Sequence, residues 1–499
     1  MTCTGVNSEK IILDEPFIDF AARFAALPGT VILMSGGELD CSRYHILGAL
    51  PWLTFSGRNQ NLSITTSDGT LNCRSDPLDM LQAILNSFKL TGLCRTIPFS
   101  AGLMGYLSYD LKDSIEKLPR TSIDDIPLPH ILFFAPAIIV VHDKKNDETY
   151  LNIPIQNKMT DDVINQFEKI IKAEPPVKRN DVYTGEFKSD FSRESYVEAV
   201  NKIKEYIKAG DVYQVNISQR FTADFSGDAY DLFKTFYKKN PASFFSFINA
   251  GSHQIISTSP ERFIQRKGNK LETRPIKGTR PRGMTPSEDE MQRIELINSI
   301  KDAAELSMIV DLLRNDLGKV CRGGSVSVSE HKRIESYSNV HHLVSVVEGI
   351  LDAGRDSADV IRAAFPGGSI TGCPKIRAME IIDELEASRR HIYTGSIGYI
   401  SFHDTMDLSI AIRTATVFNG RIVYSVGGGI VFDSNPEDEY DETLHKGRTI
   451  MDAFIKKNEK SIKTSFVWHN GVIKPSESTY IPADGEGFLY GYGFFETIR

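Results

Sequence analysis

Residues 423–446, VYSVGGGIVFDSNPEDEYDETLHK, contain both kinds of element on which the fold prediction depends. Val423–Phe432 is rich in strand-forming residues and predicts a strand, interrupted by Gly427-Gly428-Gly429. Asn435-Pro436 predicts the start of a helix, because proline suits the first helical position. Elsewhere strand and helix signals are mixed without strict β-α alternation. The sequence therefore predicts an α+β or a layered α/β architecture, not a simple Rossmann fold.

Two more helices are predicted upstream of that stretch. Ser192 is expected to cap a helix whose apolar residues recur every three or four positions, and Gly210 is expected to end it. Ser287–Glu290 resembles a capping box and opens a longer helical region. That region is predicted to run towards Asp316, with Gly318 as its stop.

The 499 residues correspond to about three domains at roughly 150 residues each. Residues 1–155 alternate short β-rich runs with turns and form a predicted N-terminal half. Residues 156–191 are polar and predict a connection to a second half at residues 192–457. Residues 464–499 depart from the pattern, with a predicted hairpin at Trp468–Ile473. A piece this short cannot build its own core, so it is either a docked appendage or the beginning of a further domain.

Composition and charge exclude several classes of protein. Lys+Arg 57 against Asp+Glu 65 leaves a formal charge of −8, which argues against nucleic acid as the main partner. No apolar run approaches the ~18 residues of a membrane span, and residues 1–10 do not resemble a secretory signal. Six scattered cysteines without a C-x-x-C pair argue against a disulfide framework or a thiolate zinc site. We therefore expect a cytoplasmic protein that binds no membrane.

Two acidic pairs on predicted helices are candidate metal ligands. Asp302 and Glu305 are three residues apart and share a helix face, and Glu439 and Glu442 repeat that spacing. If the two helices meet, four carboxylates converge, and an oxygen-only site with few protein ligands suits Mg²⁺. The alternative is two solvated faces, with an i, i+4 ion pair between Glu442 and Lys446.

Two glycine-containing segments are candidate anion sites. Thr273–Gly283 holds four basic side chains among proline and glycine, which suits a loop that binds an anionic small molecule. A lowered pKa would let Lys277 in that loop act as a nucleophile, although a basic surface loop remains the alternative. Gly367–Lys375 precedes a predicted helix and could place free backbone N–H groups against a carboxylate or phosphate. His342 could act as a general acid, and a buried Arg413 would need a carboxylate partner.

These segments together resemble the chorismate-utilising enzymes, and the resemblance covers residues 10–457. The matching motifs are long and occur in the family's order: PFSAGLMGYLSYD (98–110), GDVYQVN (210–216), SPER (259–262), PIKGTRPRG (275–283), KDAAE (301–305), VDLLRND (310–316) and GGGIVFDSNPEDEY (427–440). The resemblance implies an α+β fold, a layered β-sandwich with helices like that of anthranilate synthase component I. It also implies a transferase that acts on chorismate.

The resemblance assigns roles to particular residues. It implies that Lys277 forms a covalent intermediate, with Glu261 as general acid and His342 as the active-site histidine. It implies Mg²⁺ held by Glu305 and Glu442, with Asp302 and Glu439 reaching the ion through water. It implies substrate contacts from one further set: Gly278, Thr279, Thr371, Tyr393, Arg413, Gly427, Gly428, Gly429 and Lys446.

One position and the C-terminal segment favour one branch of the family. Anthranilate synthases typically have alanine at the position of Lys277, whereas lysine resembles component I of the aminodeoxychorismate synthases of folate biosynthesis. The resemblance implies formation of 4-amino-4-deoxychorismate, the para-aminobenzoate precursor, with ammonia supplied from glutamine by a glutamine amidotransferase subunit. Trp468–Gly471 and Gly487–Arg499 resemble the start of a class IV pyridoxal-phosphate enzyme of the aminodeoxychorismate lyase family.

The sequence leaves three alternatives open. The chain could be an anthranilate synthase component I, which Lys277 and the C-terminal segment argue against. It could be an isochorismate or salicylate synthase, with water as the nucleophile. It could also be a non-catalytic scaffold for a fused lyase, which the presence of Glu261, Lys277, Glu305 and Glu442 argues against.

Overall fold

A computed structural model describes residues 3–91, 97–156, 160–176, 182–455, 466–469 and 472–475. The chain divides into two units, Met1–Ala453 and Phe454–Arg499. In the second unit, Phe466–His469 pairs antiparallel with Val472–Pro475, which confirms the predicted hairpin. The aromatic-glycine run at 487–495 and Arg499 lie outside the described residues, as does Cys94. The other five cysteines are free thiols.

The first unit is built on 23 antiparallel strands that hydrogen bonds link into one network within its described residues. The strands are β1 Cys3–Ile11, β2 Thr30–Met34, β3 Tyr44–Arg58, β4 Asn61–Thr66, β5 Gly69–Arg74, β6 Gly102–Leu107, β7 Ile131–Asp143, β8 Glu148–Gln156, β9 Tyr183–Thr184, β10 Lys188–Ser189, β11 Gln214–Ser226, β12 Phe244–Asn249, β13 His253–Ser259, β14 Arg262–Lys267, β15 Lys270–Arg274, β16 Ile276–Pro281, β17 Ser327–Ser336, β18 Val340–Ile350, β19 Gly372–Cys373, β20 Ser396–Ser401, β21 Thr405–Ile410, β22 Thr414–Phe418 and β23 Arg421–Ile430.

Helices cover this network, and most begin where the sequence predicts. They are α1 Phe17–Ala25, α2 Pro77–Ser87, α3 Thr160–Lys172, α4 Arg193–Ala209, α5 Ala229–Lys239, α6 Pro286–Asn298, α7 Ile300–Gly318, α8 Ser357–Ala364, α9 Lys375–Leu385 and α10 Pro436–Ile455. The cap of α4 at Ser192, its end at Gly210 and the start of α10 at Pro436 are confirmed. No described helix is long and apolar enough to cross a membrane.

The long helix predicted from Ser287 to Asp316 is wrong in two respects. The capping box is formed by Thr285 and Glu288, with Pro286 at the first helical position. The helix also breaks at Ser299, whose backbone is extended (φ −66°, ψ 107°) and whose hydroxyl accepts a hydrogen bond from the Asp302 backbone N–H. Two helices, α6 and α7, therefore replace one.

The two predicted halves share one core. Buried Ile46, Phe99 and Ile139 pack in the same cluster as Ile255 and Ile397. Strands from the two halves also pair directly, β2 with β12 and β6 with β20. The α+β class with layered strands and helices is confirmed, while the boundaries at residues 155, 191 and 457 stay predictions.

Candidate active site

The position of Lys277 follows from an irregular stretch of strand pairing. Lys277 pairs with Leu343 of β18 and Thr279 pairs with His342, with a shift of register between them. Gly278 lies at this register shift and has φ +74°, a backbone conformation that favours glycine. A Cβ there would lie 2.9 Å from the carboxyl carbon of Asp302. Glycine therefore allows α7 to approach the loop that carries Lys277.

The Lys277 amine lies among carboxylates. A Cβ on Gly429 of β23 would be 3.5 Å from its Nζ, which places the amine against the predicted glycine stretch. Burial lowers the pKa of Lys277, whereas Glu305 and Glu261 act in the opposite direction. The lowered pKa favours the neutral amine, which is the nucleophilic form.

Glu261 faces Lys277 from the turn between β13 and β14. Its side chain is 5% exposed, and Ser369 donates a hydrogen bond to Oε1 at 2.6 Å. Burial raises the pKa of Glu261 to about 7, although Ser369, Lys277 and Arg413 favour the ionised form. A carboxylic acid with this pKa can hold and release a proton near neutrality.

The predicted metal ligands come from α7 and α10, which meet at the site. Burial raises the pKa of Glu305, and repulsion from Asp302 and Glu442 raises it further. Partial burial acts to raise the pKa of Glu442, but the Lys446 ammonium at 2.6 Å holds it below its usual value. The i, i+4 ion pair between Glu442 and Lys446, which was the alternative to metal binding, is thus present. Glu439 accepts a hydrogen bond from the Ser434 hydroxyl at 2.7 Å.

The described residues contain no group of three or more His, Cys, Asp or Glu side chains close enough to hold a metal ion. Glu305 and Glu442 nevertheless repel each other, and a cation between two hard oxygen ligands would relieve that repulsion. Mg²⁺ commonly binds through one or two carboxylates and retains several waters. The donor set therefore fits Mg²⁺ with few protein ligands.

His342 and Arg413 line a cleft of about 620 Å³, together with Tyr424 and Lys446. His342 Nδ1 and the Thr279 hydroxyl are hydrogen bonded at 2.9 Å, while Nε2 is buried without a partner. Burial lowers the pKa of His342 to about 3, so the ring is neutral at pH 7. A neutral imidazole can donate or accept a hydrogen bond but brings no positive charge.

Arg413 lies between β21 and β22, at φ +51°, and not within a strand. No described carboxylate forms an ion pair with its guanidinium. An anionic ligand in the cleft would supply the carboxylate partner that a buried arginine needs. Lys446 donates to the Gly427 carbonyl oxygen at 3.2 Å and lies beside Gly428.

Gly427, Gly428 and Gly429 lie in β23 and pair with Ser218, Ile217 and Asn216 of β11. Two other predicted substrate-binding residues, Thr371 and Tyr393, are buried. Thr371 is fully buried and donates its hydroxyl hydrogen to the Gly367 carbonyl oxygen at 3.0 Å. Tyr393 is 7% exposed.

Two residues near the site were missed by sequence reasoning. Gln214 is fully buried, and both polar atoms of its side chain lack hydrogen-bond partners. A Cβ on Gly429 would lie 2.5 Å from its Nε2. Lys301 acts electrostatically on Glu305, Glu439 and Glu442. Both lie inside quoted motifs, but nothing in their spacing indicated a role.

Comparisons with known proteins agree with this geometry. The family model described as chorismate binding enzyme matches residues 46–452. The chain is 40% identical over 442 residues to aminodeoxychorismate synthase component 1 of Escherichia coli (strain K12), covering 88% of this chain and 96% of that protein. It is 35% identical over 439 residues to anthranilate synthase component 1 of Cereibacter sphaeroides, covering 84% and 87%.

A solved structure supports the fold assignment. Anthranilate synthase component I from Streptococcus pneumoniae TIGR4 superimposes with a TM-score of 0.74 at 30% identity, covering 83% of this chain and 93% of that one. The family match spans well over half of the chain, and the match to the Escherichia coli protein covers nearly all of that protein. The chain belongs to the family of chorismate binding enzymes.

Proposed function

We propose that this protein converts chorismate and ammonia to 4-amino-4-deoxychorismate, the precursor of para-aminobenzoate in folate biosynthesis. The observation that carries the proposal is the Lys277 amine, whose pKa burial lowers, beside the protonatable carboxyl of Glu261. Relatives named aminodeoxychorismate synthase component 1 are 39 to 41% identical over 84 to 88% of this chain, slightly above the 35 to 39% of relatives named anthranilate synthase component 1, which supports the same branch.

The proposed reaction has two displacement steps. The neutral Lys277 amine adds to C2 of the ring, the two ring double bonds shift, and the C4–O bond breaks. Glu261 gives its proton to the departing 4-hydroxyl, which leaves as water. Ammonia then adds at C4, the double bonds shift back, and the C2–N bond breaks with its electron pair on nitrogen, which releases Lys277 as the neutral amine. The ammonium formed at C4 gives up one proton, which restores the acid form of Glu261. Overall, chorismate and ammonia give 4-amino-4-deoxychorismate and water.

Chorismate carries two carboxylates, and the site offers two places for them. We assign the side-chain carboxylate to Arg413, Tyr393 and the backbone amides of Gly427–Gly429, which together present a cation and donors. Mg²⁺ held by Glu305 and Glu442 would neutralise the ring carboxylate, with Asp302 and Glu439 acting through water. His342 would offer its free Nε2 as a hydrogen-bonding group to the bound substrate.

Ammonia would come from glutamine through a separate glutamine amidotransferase subunit. The name of the relative, component 1, is consistent with such a second component. The proposal also includes a cytoplasmic location.

The test is mass spectrometry of the product formed from chorismate, Mg²⁺ and ammonium, with and without added aminodeoxychorismate lyase. We expect 4-amino-4-deoxychorismate, and para-aminobenzoate only when the lyase is present. Anthranilate without lyase would identify an anthranilate synthase. A hydroxylated product without any nitrogen source would identify an isochorismate or salicylate synthase, and no turnover at saturating ammonium would favour the scaffold.

A further inference from the structure

A buried ion pair lies directly behind the glycine strand of the site. Arg390 and Glu386 are each 5% exposed, and Nε and Nη2 of Arg390 donate to the two carboxylate oxygens at 2.8 and 2.7 Å. Nη1 donates to the Ile370 carbonyl oxygen at 2.9 Å and to the Thr394 hydroxyl at 3.4 Å. Nη2 also donates to the Asn216 carbonyl oxygen at 2.6 Å. All five N–H groups of this arginine therefore have an acceptor.

The pair takes the place of a neighbouring strand along one edge of β11. The short strand β19 pairs only with the first two residues of β11. Beyond it, Arg390 donates to the Asn216 carbonyl oxygen, and Glu386 accepts from the Ser218 backbone N–H at 2.8 Å. The opposite edge of the same stretch pairs with Gly427–Gly429. Two side chains thus hold the strand against which the glycine backbone is positioned.

The same guanidinium also holds the loop that carries Tyr393. Its Cζ atom lies 5.9 Å from the centre of the Tyr393 ring and 4.9 Å from that of Tyr109. The Tyr393 backbone N–H donates to the Arg390 carbonyl oxygen at 3.1 Å. Thr394 has φ +60°, which is rare for a β-branched residue, and its hydroxyl accepts from Arg390. The contacts to Arg390 hold this strained loop in place.

We infer that Arg390, paired with Glu386, is a positioning residue for the carboxylate-binding part of the site, formed by Gly427–Gly429 and Tyr393. The inference rests on the proposed function, because it assigns a substrate group to those residues. Arg390 itself is buried, and the inference gives it no contact with the substrate. A lysine could not replace it, because an ammonium has three donors and no planar face to stack between two rings.

The test compares Arg390→Lys and Glu386→Gln with the wild-type protein in steady-state kinetics with chorismate. Misplacement of binding groups weakens ground state and transition state alike, so KM should rise while kcat stays nearly constant. We expect KM for chorismate to rise about 10- to 100-fold and kcat to change less than about threefold. Titration calorimetry with chorismate should show the same loss of affinity.

A matched control separates positioning from general stability. Arg43 also forms a bidentate pair, with Asp143 at 2.9 and 2.6 Å, but its side chain is 38% exposed. This pair lies on a part of the chain that carries no proposed site residue. Arg43→Lys should leave KM unchanged and should lower Tm less than Arg390→Lys does, because a partly exposed ion pair contributes less to stability. An unchanged KM in both test variants, or an equal rise in the control, would overturn the inference. Failure of both variants to fold would assign the pair to core stability and also overturn it.

The wild-type protein distinguishes this inference from the proposed function. If it makes 4-amino-4-deoxychorismate and the variants keep a normal KM and affinity, only the inference fails. If it makes another chorismate product with a raised KM in the variants, the inference holds and the proposed reaction fails. If it neither turns over nor binds chorismate, both are refuted.

Discussion

Glu261 gives the sharpest test of the chemistry, because its protonation state decides whether it can act as an acid. We expect the activity to fall as pH rises through about 7, the pKa that burial gives this carboxyl. The sign follows from the raised pKa: the proton is held below about pH 7 and lost above it. Glu261→Gln should lower kcat about 10²- to 10⁴-fold, the usual contribution of a general acid, and should remove this alkaline limb.

The size of the pKa shift at Glu261 depends on burial and on one hydrogen bond. A change of pKa from the ordinary 4.5 to about 7 corresponds to about 3 kcal/mol in favour of the neutral acid. Ser369 opposes that change, since its hydroxyl donates to Glu261 Oε1 at 2.6 Å and stabilises the ionised form. Ser369→Ala should therefore move the alkaline limb to higher pH, while a substitution that exposed the carboxyl would move it to lower pH.

The assay measures kcat/KM for chorismate from pH 5.5 to 9, with the concentration of free ammonia held constant at each pH. Holding ammonia constant removes its own protonation from the profile. The same carboxyl also predicts a stability effect: its raised pKa lowers the free energy of unfolding progressively between about pH 4.5 and 7, and the loss is complete above pH 7. Glu261→Gln should therefore raise Tm relative to wild type more at pH 8 than at pH 5. An alkaline limb that survives in Glu261→Gln, or that moves to lower pH in Ser369→Ala, would refute the assignment.

Three further predictions concern the amine and the carboxylates. Lys277→Ala should abolish the covalent adduct seen by intact-protein mass spectrometry and shift any residual activity towards anthranilate; unchanged 4-amino-4-deoxychorismate formation would remove lysine from the mechanism. Glu305→Gln should move the Mg²⁺ activation curve about 10- to 100-fold to higher concentration, as weaker ligation does elsewhere; an unaltered titration would contradict its role as a ligand. Lys301→Met should tighten apparent Mg²⁺ affinity about fivefold at low salt and less at high salt, because a competing cation is removed; weaker affinity would show that Lys301 supports the site.

Local sequence signals predicted single elements well and junctions poorly. Ser192, Gly210 and Pro436 act through their own backbone and nearest neighbours, so their positions could be read from the sequence. The break at Ser299 could not, because apolar residues continue on both sides of it and only an extended backbone at one position separates α6 from α7. The cap lies two positions before the predicted one, because serine and threonine are both favoured caps and residue type alone does not decide between Ser287 and Thr285.

The site was predictable to the extent that its residues lie in motifs that resemble a known family. The sequence named Lys277, Glu261 and the two acidic pairs. It could not show that these side chains lie close together, because that depends on the register of β16 against β18 and on the turn at Gly278. Arg390 could not be named, since its acceptors include Asn216 and Ile370, far away in the chain. A buried arginine has a recognisable role only once the fold brings its partners together.

The charges of the site explain why chorismate and Mg²⁺ are expected to depend on each other. Glu261, Glu305 and Glu442 surround the Lys277 amine, and a substrate with two carboxylates would add repulsion to that arrangement. Arg413 can neutralise one carboxylate, but the other would meet Glu305, whose own ionisation burial already disfavours. A divalent cation bound by Glu305 and Glu442 would turn that repulsion into an attraction for the substrate carboxylate. Coupling of this kind is reciprocal, so each ligand must tighten the binding of the other by the same factor.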